Sequence, residues 1–296
     1  QVDVTVQPNI GNGLQGGLDY LTEYPYGCSE QKTSGLIANL MYAELAKLHI
    51  GKAEPVRLEK ANENARQTIK ALVSQQNVDG GWSFWPEYPT SYPWLTAYVF
   101  WGLTQAQKAG FAVDAASLDR ADAYLRQALA GSLPLAYVLG DAERAQLVFM
   151  LSERKTDGLS GYADALYEHR KDLPGFGQLF LTMTYVNLDQ GRTSVRAAQI
   201  LGEIKNKVVY LNPSTAYVKE DKGYEDLLSS DLRTTSLYLQ ALLRIDPNSQ
   251  EIERVLRYIV QNRQNGYWST TQNTAVTLLG LIEYVRAHPV NEAMQV

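Results

Sequence analysis

Apolar residues recur at helical spacing along almost the whole chain, and no stretch between the recurrences is long enough to act as a linker. Leu36, Leu40 and Ala43 run beside Ile37, Met41 and Leu45, and towards the other end Ala275, Leu278, Leu279 and Ile282 repeat the pattern. Such spacing lines up side chains on one helical face. It predicts helices over roughly 30–49, 57–76, 92–110, 115–131, 141–153, 160–171, 176–191, 194–206, 230–245, 248–264 and 272–286, with a short one near 13–23. Strand signals are few. Val2-Asp3-Val4-Thr5-Val6 alternates like a short strand, and Val208 to Leu211 with Ala216 to Val218 flank the turn residues Asn212-Pro213-Ser214 as a hairpin. Short connections make sequential helices antiparallel neighbours. The chain therefore reads as all-α: an α/α toroid of about six helical hairpins in an inner and an outer ring, with a small β-hairpin near 208–218.

Composition separates the two rings. Helices beginning near Gln31, Leu95, Asp231 and Gln272 are rich in Ala, Leu, Thr and Tyr, whereas 57–76, 115–131 and 248–264 carry charge on one face. The first set is expected inside and the second outside. Alternation then makes the inner helices parallel, with their N-termini gathered on one face of the ring. That face is expected to carry the chemistry.

At 296 residues, 45% apolar, the chain can bury a large core without metal or disulfide. Its net charge of −5, with no block of Lys or Arg, offers nothing to a phosphate backbone, so nucleic acid is not an expected partner. No run approaches the roughly 20 apolar residues needed to cross a bilayer. No metal or cofactor is implied. The chain starts at Gln1 rather than Met, which reads as a piece of a longer protein. Residues 1–12 are expected to be a flanking strand or linker of that parent, and 13–296 the toroid.

Two loops entering the chemical face resemble each other. Gln76-Asn77-Val78-Asp79-Gly80-Gly81-Trp82 runs on to Trp85 and Trp94, and Gln264-Asn265-Gly266-Tyr267-Trp268 precedes the last helix. Each has Gln, a Gly-containing turn and then an aromatic. These aromatics either pack beneath the turn as struts or line a site.

The single cysteine decides what the site is. Tyr24-Pro25-Tyr26-Gly27-Cys28-Ser29-Glu30-Gln31 leads straight into an apolar helix, which puts Cys28 at a helix N-terminus. Unpaired backbone N–H groups and the helix dipole are expected to favour its thiolate there. Gln31, three residues on, lies on the same side of the turn. Attack of the sulfur on the Gln31 side-chain carbonyl, with loss of ammonia, would close an intramolecular thioester. Gly27 is read as permitting the tight entry and Pro25 as stiffening it. Glu30 is read either as holding the turn through backbone N–H groups or as a favourable charge at the helix start.

Pro-Tyr-Gly-Cys-x-Glu-Gln resembles the thioester signature of the alpha-2-macroglobulin and complement superfamily, and the full Tyr-Pro-Tyr-Gly-Cys-x-Glu-Gln looks like its bacterial branch. Gly80-Gly81-Trp82 followed by Leu95-Thr96-Ala97-Tyr98, then Ser230 to Thr235, then Tyr267 to Gln272 follow in the order of that family's thioester domain. The resemblance implies an α/α toroid and a single-turnover covalent trap rather than a catalyst. A protease cuts a bait elsewhere in the parent, and the Cys28–Gln31 thioester then acylates the attacker. Its partners would be target proteases and the other domains of the parent. Tyr24 and Tyr26 are the first candidates to shield the bond from water, with Trp82, Trp85, Tyr267 and Trp268 as a further aromatic wall. Complement-type members that prefer hydroxyls carry a histidine in the loop corresponding to Ser132 to Leu139, and this loop has none. His49, His169 and His288 read instead as helix-end residues. The resemblance thus implies direct attack by amines, lysine above all, and a periplasmic, secreted or cell-surface parent, lipid-anchored in one variant of that reading.

Two other readings compete. Aromatics after glycine-rich turns also suit toroid enzymes such as glycosidases, lyases or terpene and prenyl enzymes, for which Asp79, Glu87 and Asp231 could supply carboxylates. The other is a toroid that packs inside a larger protein with its thioester lost.

Overall fold

The computed structural model describes residues 10–22, 27–48, 55–190 and 194–288. The expected strand at Val2 to Val6 lies outside them. The helices are α1 (Ile10–Thr22), α2 (Ser29–Lys47), α3 (Pro55–Ser74), α4 (Pro93–Lys108), α5 (Ala115–Leu129), α6 (Asp141–Ser152), α7 (Ser160–Glu168), α8 (Gly175–Leu188), α9 (Val195–Ile204), α10 (Asp231–Ile245), α11 (Glu251–Gln261) and α12 (Thr271–Ala287). Strands β1 (Val208–Asn212) and β2 (Thr215–Val218) lie between α9 and α10 and pair antiparallel, Val208 opposite Val218 and Val209 opposite Tyr217. The Asn212 side chain accepts from the Ser214 N–H at 2.9 Å and closes the turn.

The even-numbered helices close a ring: α2 packs on α4, α4 on α6, and so on through α8, α10 and α12, which returns to α2. The odd-numbered helices lie outside. The architecture is an α/α toroid. α6 and α8 join the four inner helices that composition singled out, and α1, α7 and α9 join the outer set. An outer helix buries only one stripe, as in α3, where Ala61, Ala65, Ile69 and Leu72 face inward. An inner helix is buried nearly all round, as in α4 and α12.

Burying so many threonines in the inner ring leaves hydroxyls to satisfy, and several turn back on their own helix. Thr33 donates to the Ser29 carbonyl at 2.7 Å, Thr104 to Phe100 at 2.8 Å and Thr182 to Gln178 at 2.8 Å. The inner helices run parallel. Their starts touch each other, as Ser230 and Asn273 do, and so do their ends, as Arg244 and Glu283 do.

α11 is shorter than the 248–264 predicted from its apolar stripe. The turn at Asp246-Pro247-Asn248, closed by Ser249 N–H to the Asp246 carbonyl, delays its start, and the Gln264–Tyr267 turn ends it early.

Candidate functional site

Cys28 is the N-cap of α2, in extended conformation at φ −69° and ψ 163°, and Gln31 is the third residue of the helix. The two form a reciprocal capping box: the Cys28 side chain faces the Gln31 backbone N–H, and Gln31 Oε1 accepts from the Cys28 N–H at 3.2 Å. Hydroxyls stand at the same position elsewhere in the ring, where Ser230 caps α10 and Thr270 caps α12. In α2 the capping atom is sulfur and its reciprocal partner is a side-chain amide. The approach of sulfur and amide carbonyl is thus a by-product of ordinary helix capping.

The helix start is pinned from outside as well. The Ser29 N–H donates to the Phe84 carbonyl at 2.8 Å. The Phe84 ring stands edge-on to Tyr92 and Trp94, each at 5.6 Å between centroids. Cys28 is 6% exposed. Burial pushes its thiol above the usual range, and Glu30 adds to this, against the Gln31 and Glu30 backbone N–H groups and Lys32. This corrects the expectation of a favoured thiolate: at this helix start desolvation outweighs the backbone N–H groups.

Glu30 departs from the first reading made of it, although it does stand in the first turn of α2. Its carboxylate accepts from Ser34 Oγ at 2.7 Å and from Thr271 Oγ1 at 2.8 Å, not from backbone N–H groups of the turn. Ser34 in turn shares a hydrogen bond of 2.9 Å with the Tyr98 hydroxyl. One carboxylate therefore ties α2 to α12 across the closure of the ring, and through Ser34 to α4. Burial raises its pKa against the two hydroxyl donors. Gly27 is not required by space or by a left-handed backbone, because a Cβ there would meet only Lys32 Cε at 3.5 Å, an ordinary contact.

Of the tyrosines expected to shield the bond, Tyr24 and Tyr26 lie outside the described residues, as does Pro25. Trp82 and Trp268 are fully buried beneath their turns. The two loops are alike in detail. Gly80 and Gly266 adopt φ near +90°. The Trp82 N–H donates to Thr96 and its indole to the Leu72 carbonyl; the Trp268 N–H donates to Thr274 and its indole to the Ile259 carbonyl. These tryptophans are struts joining the end of an outer helix to the start of an inner one. Trp85 is 43% exposed, and Tyr267 stacks on Tyr20 at 3.8 Å. The aromatics that sequence reading left without a role, Phe84, Tyr92 and Tyr98, are the ones tied to the start of α2; the Phe-Trp pair following Gly-Gly-Trp was the signal for the first.

Between Ser132 and Leu139, the Tyr137 hydroxyl donates to Glu143 at 2.7 Å. His169 and His288 sit at the C-terminal ends of α7 and α12, and His49 lies outside the described residues. Among the described residues no three His, Cys, Asp or Glu side chains cluster as a metal site, and no helix is long and apolar enough to cross a membrane.

Residues 3–132 match the A-macroglobulin TED domain. The chain is 23% identical over 277 residues to alpha-2-macroglobulin of Thermotoga maritima, covering 91% of this chain and 14% of that protein. It superposes on the native conformation of Escherichia coli alpha-2-macroglobulin with a TM-score of 0.72 at 23% identity, over 92% of this chain and 17% of that one. On Salmonella alpha-2-macroglobulin reacted with methylamine the TM-score is 0.73 at 21% identity, over 94% of this chain and 18% of that one. These matches support a TED domain of an alpha-2-macroglobulin-like protein. The chain spans only a small part of the relatives it matches.

Proposed function

We propose that this chain is the covalent warhead of a protease-trapping protein, with its reactive bond between Cys28 and Gln31. The capping box carries this reading, because it holds the sulfur and the amide in one turn at high effective concentration. The Cys28 sulfur attacks Gln31 Cδ and ammonia leaves, giving a thioester. A neutral thioester suits a site where burial opposes a thiolate. When the molecule is triggered, an amine of the attacker takes the acyl group, the C–S bond breaks and a free thiol remains. Each domain reacts once, so it is a trap and not a catalyst.

Lysine is the expected target, since no histidine is present between Ser132 and Leu139 to relay the acyl group to hydroxyls. That a Salmonella relative was obtained after reaction with methylamine is consistent with an amine-reactive site. The warhead domain runs from α1 onward, which begins at Ile10 rather than at the expected residue 13, and the residues before it are a flanking strand or linker. The remaining domains of the parent would supply the bait and the shield, and the parent works in the periplasm or at the cell surface.

Intact mass tests the bond. The chain expressed within its parent should be lighter than its sequence by one ammonia and should release one thiol with methylamine. A mass equal to the unmodified sequence would refute the thioester. Methylamine should be incorporated at Gln31 far faster than glycerol; comparable rates would remove the amine preference.

A further inference from the structure

Lys32 directly follows the reactive pair and has no part in the family motif quoted above. Its backbone N–H donates to the Cys28 carbonyl at 2.9 Å, the first hydrogen bond of α2. Its ammonium is tethered: Nζ donates to Gln75 Oε1 at 3.0 Å, just past the end of α3, the outer helix that packs along α2. That tether draws the side chain back over the helix start. A Cβ on Gly27 would lie 3.5 Å from Lys32 Cε and 3.9 Å from its Nζ, so the ammonium stands beside the residue preceding Cys28 with no side chain between. The charged groups acting on this corner are Glu30, which opposes a negative sulfur, and Lys32, which favours it. Burial lowers the Lys32 pKa, against the opposing charges of Cys28 and of Glu87 from the loop before α4.

Resting on the thioester reading, we propose that Lys32 is an electrostatic positioning residue for acyl transfer: its ammonium, tethered by Gln75 over Gly27, stabilises the thiolate released from Cys28. The attacking amine donates its lone pair to Gln31 Cδ. The C–S bond then breaks with its electron pair going to Sγ, and the surplus proton of the amine passes to the thiolate or to water. An amide and a free thiol remain. Negative charge on sulfur is greatest as that bond breaks, in a site that otherwise disfavours it, and a fixed cation there lowers the barrier. The same cation does little for the intact, neutral thioester. It therefore speeds release without favouring the resting bond.

The test uses the full parent chain carrying Lys32→Met, Lys32→Arg or Gln75→Leu. One readout is the rate of Cys28 alkylation by iodoacetamide against pH, taken after methylamine treatment, which reports the thiol whether or not the bond had formed. The other is the rate of thiol release by methylamine. Lys32→Met should raise the alkylation midpoint by about one pH unit and slow thiol release about tenfold. Lys32→Arg should restore both to within about threefold, because it keeps the charge. Gln75→Leu leaves α2 untouched, should shift the midpoint the same way by less, and decides the matter where Lys32→Met folds poorly. An unmoved midpoint overturns the assignment, and so does slower release without a shifted midpoint, which would make Lys32 a packing residue. A shifted midpoint with no thiol release from the wild type counts against the thioester while supporting the Lys32–Cys28 coupling.

Discussion

The two faces of the ring solve opposite problems. At the N-terminal face, where helix dipoles favour anions, two buried carboxylates are nevertheless held towards their neutral forms. Burial raises Glu30 against its two hydroxyl donors, and raises Glu143 beside Tyr137. At the C-terminal face, where dipoles favour cations, the ends of α4, α8 and α10 meet on one carboxylate, Glu153 at the end of α6. It pairs with Lys108 at 2.8 Å and Arg244 at 3.5 Å and accepts from Asn187 at 3.0 Å. Arg244 continues to Glu283 on α12, and Arg286 of α12 pairs with Glu44 of α2. Burial alone would raise Glu153, but Arg244 and Lys108, with hydrogen bonds from Lys108 and Asn187, hold it down to about 2. Paired charge closes one end of the ring, and carboxylates held by hydroxyl donors mark the other. The difference teaches that burial and specific partners decide which form a carboxylate keeps at a helix end.

The sharpest way to separate reactivity from architecture at the neutral face is Cys28→Ser. Methylamine incorporation, followed by mass, should vanish completely, while a serine hydroxyl caps the helix as Ser230 does and stability changes by less than about 1 kcal/mol. A collapse of thermal stability would mean that sulfur is needed for the fold, and the contrast between the faces would lose its meaning. Next in size is Glu153→Ala, which leaves Arg244 and Lys108 facing an empty site and should cost about 3–5 kcal/mol in urea unfolding. Because the folded pKa of Glu153 lies below its ordinary 4.5, its contribution is present above that value and fades as pH falls through about 2. Glu153→Gln should flatten that acid limb, and an unchanged limb would contradict the charged face. The smallest effect belongs to Glu30→Gln. Glu30 is raised, so its folded form holds its proton more tightly and stability falls as pH climbs from 4.5 through the folded value. The amide removes that slope of opposite sign while keeping an acceptor for one hydroxyl, with a net change near pH 7 of about 1 kcal/mol or less. A Glu30 variant that behaved like the Glu153 variant would erase the comparison.

The helices, the hairpin and the two-ring arrangement were legible because apolar period and charge placement are local signals, summed over many residues. Cys28 and Gln31 were legible for the same reason, since both belong to one turn. What sequence could not supply was the set of partners brought together by ring closure. Thr271 meets Glu30 across 241 positions of chain. Gln75 reaches Lys32, and Phe84 offers its carbonyl to Ser29, from connections whose course only packing fixes. The thiol's direction of shift was misread for a related reason: a helix start is visible in sequence, but the depth at which it lies is not.

The Glu30 clasp has a mechanical consequence. A protease captured at Gln31 would pull on the first turn of α2, where a lone helix would peel from its end one hydrogen bond at a time. Here that turn is fastened to the last inner helix through Thr271 and to the next one through Ser34 and Tyr98. Tension entering at one residue would be divided between both neighbours of a ring with no free edge, so the tether should yield only when several helices move together.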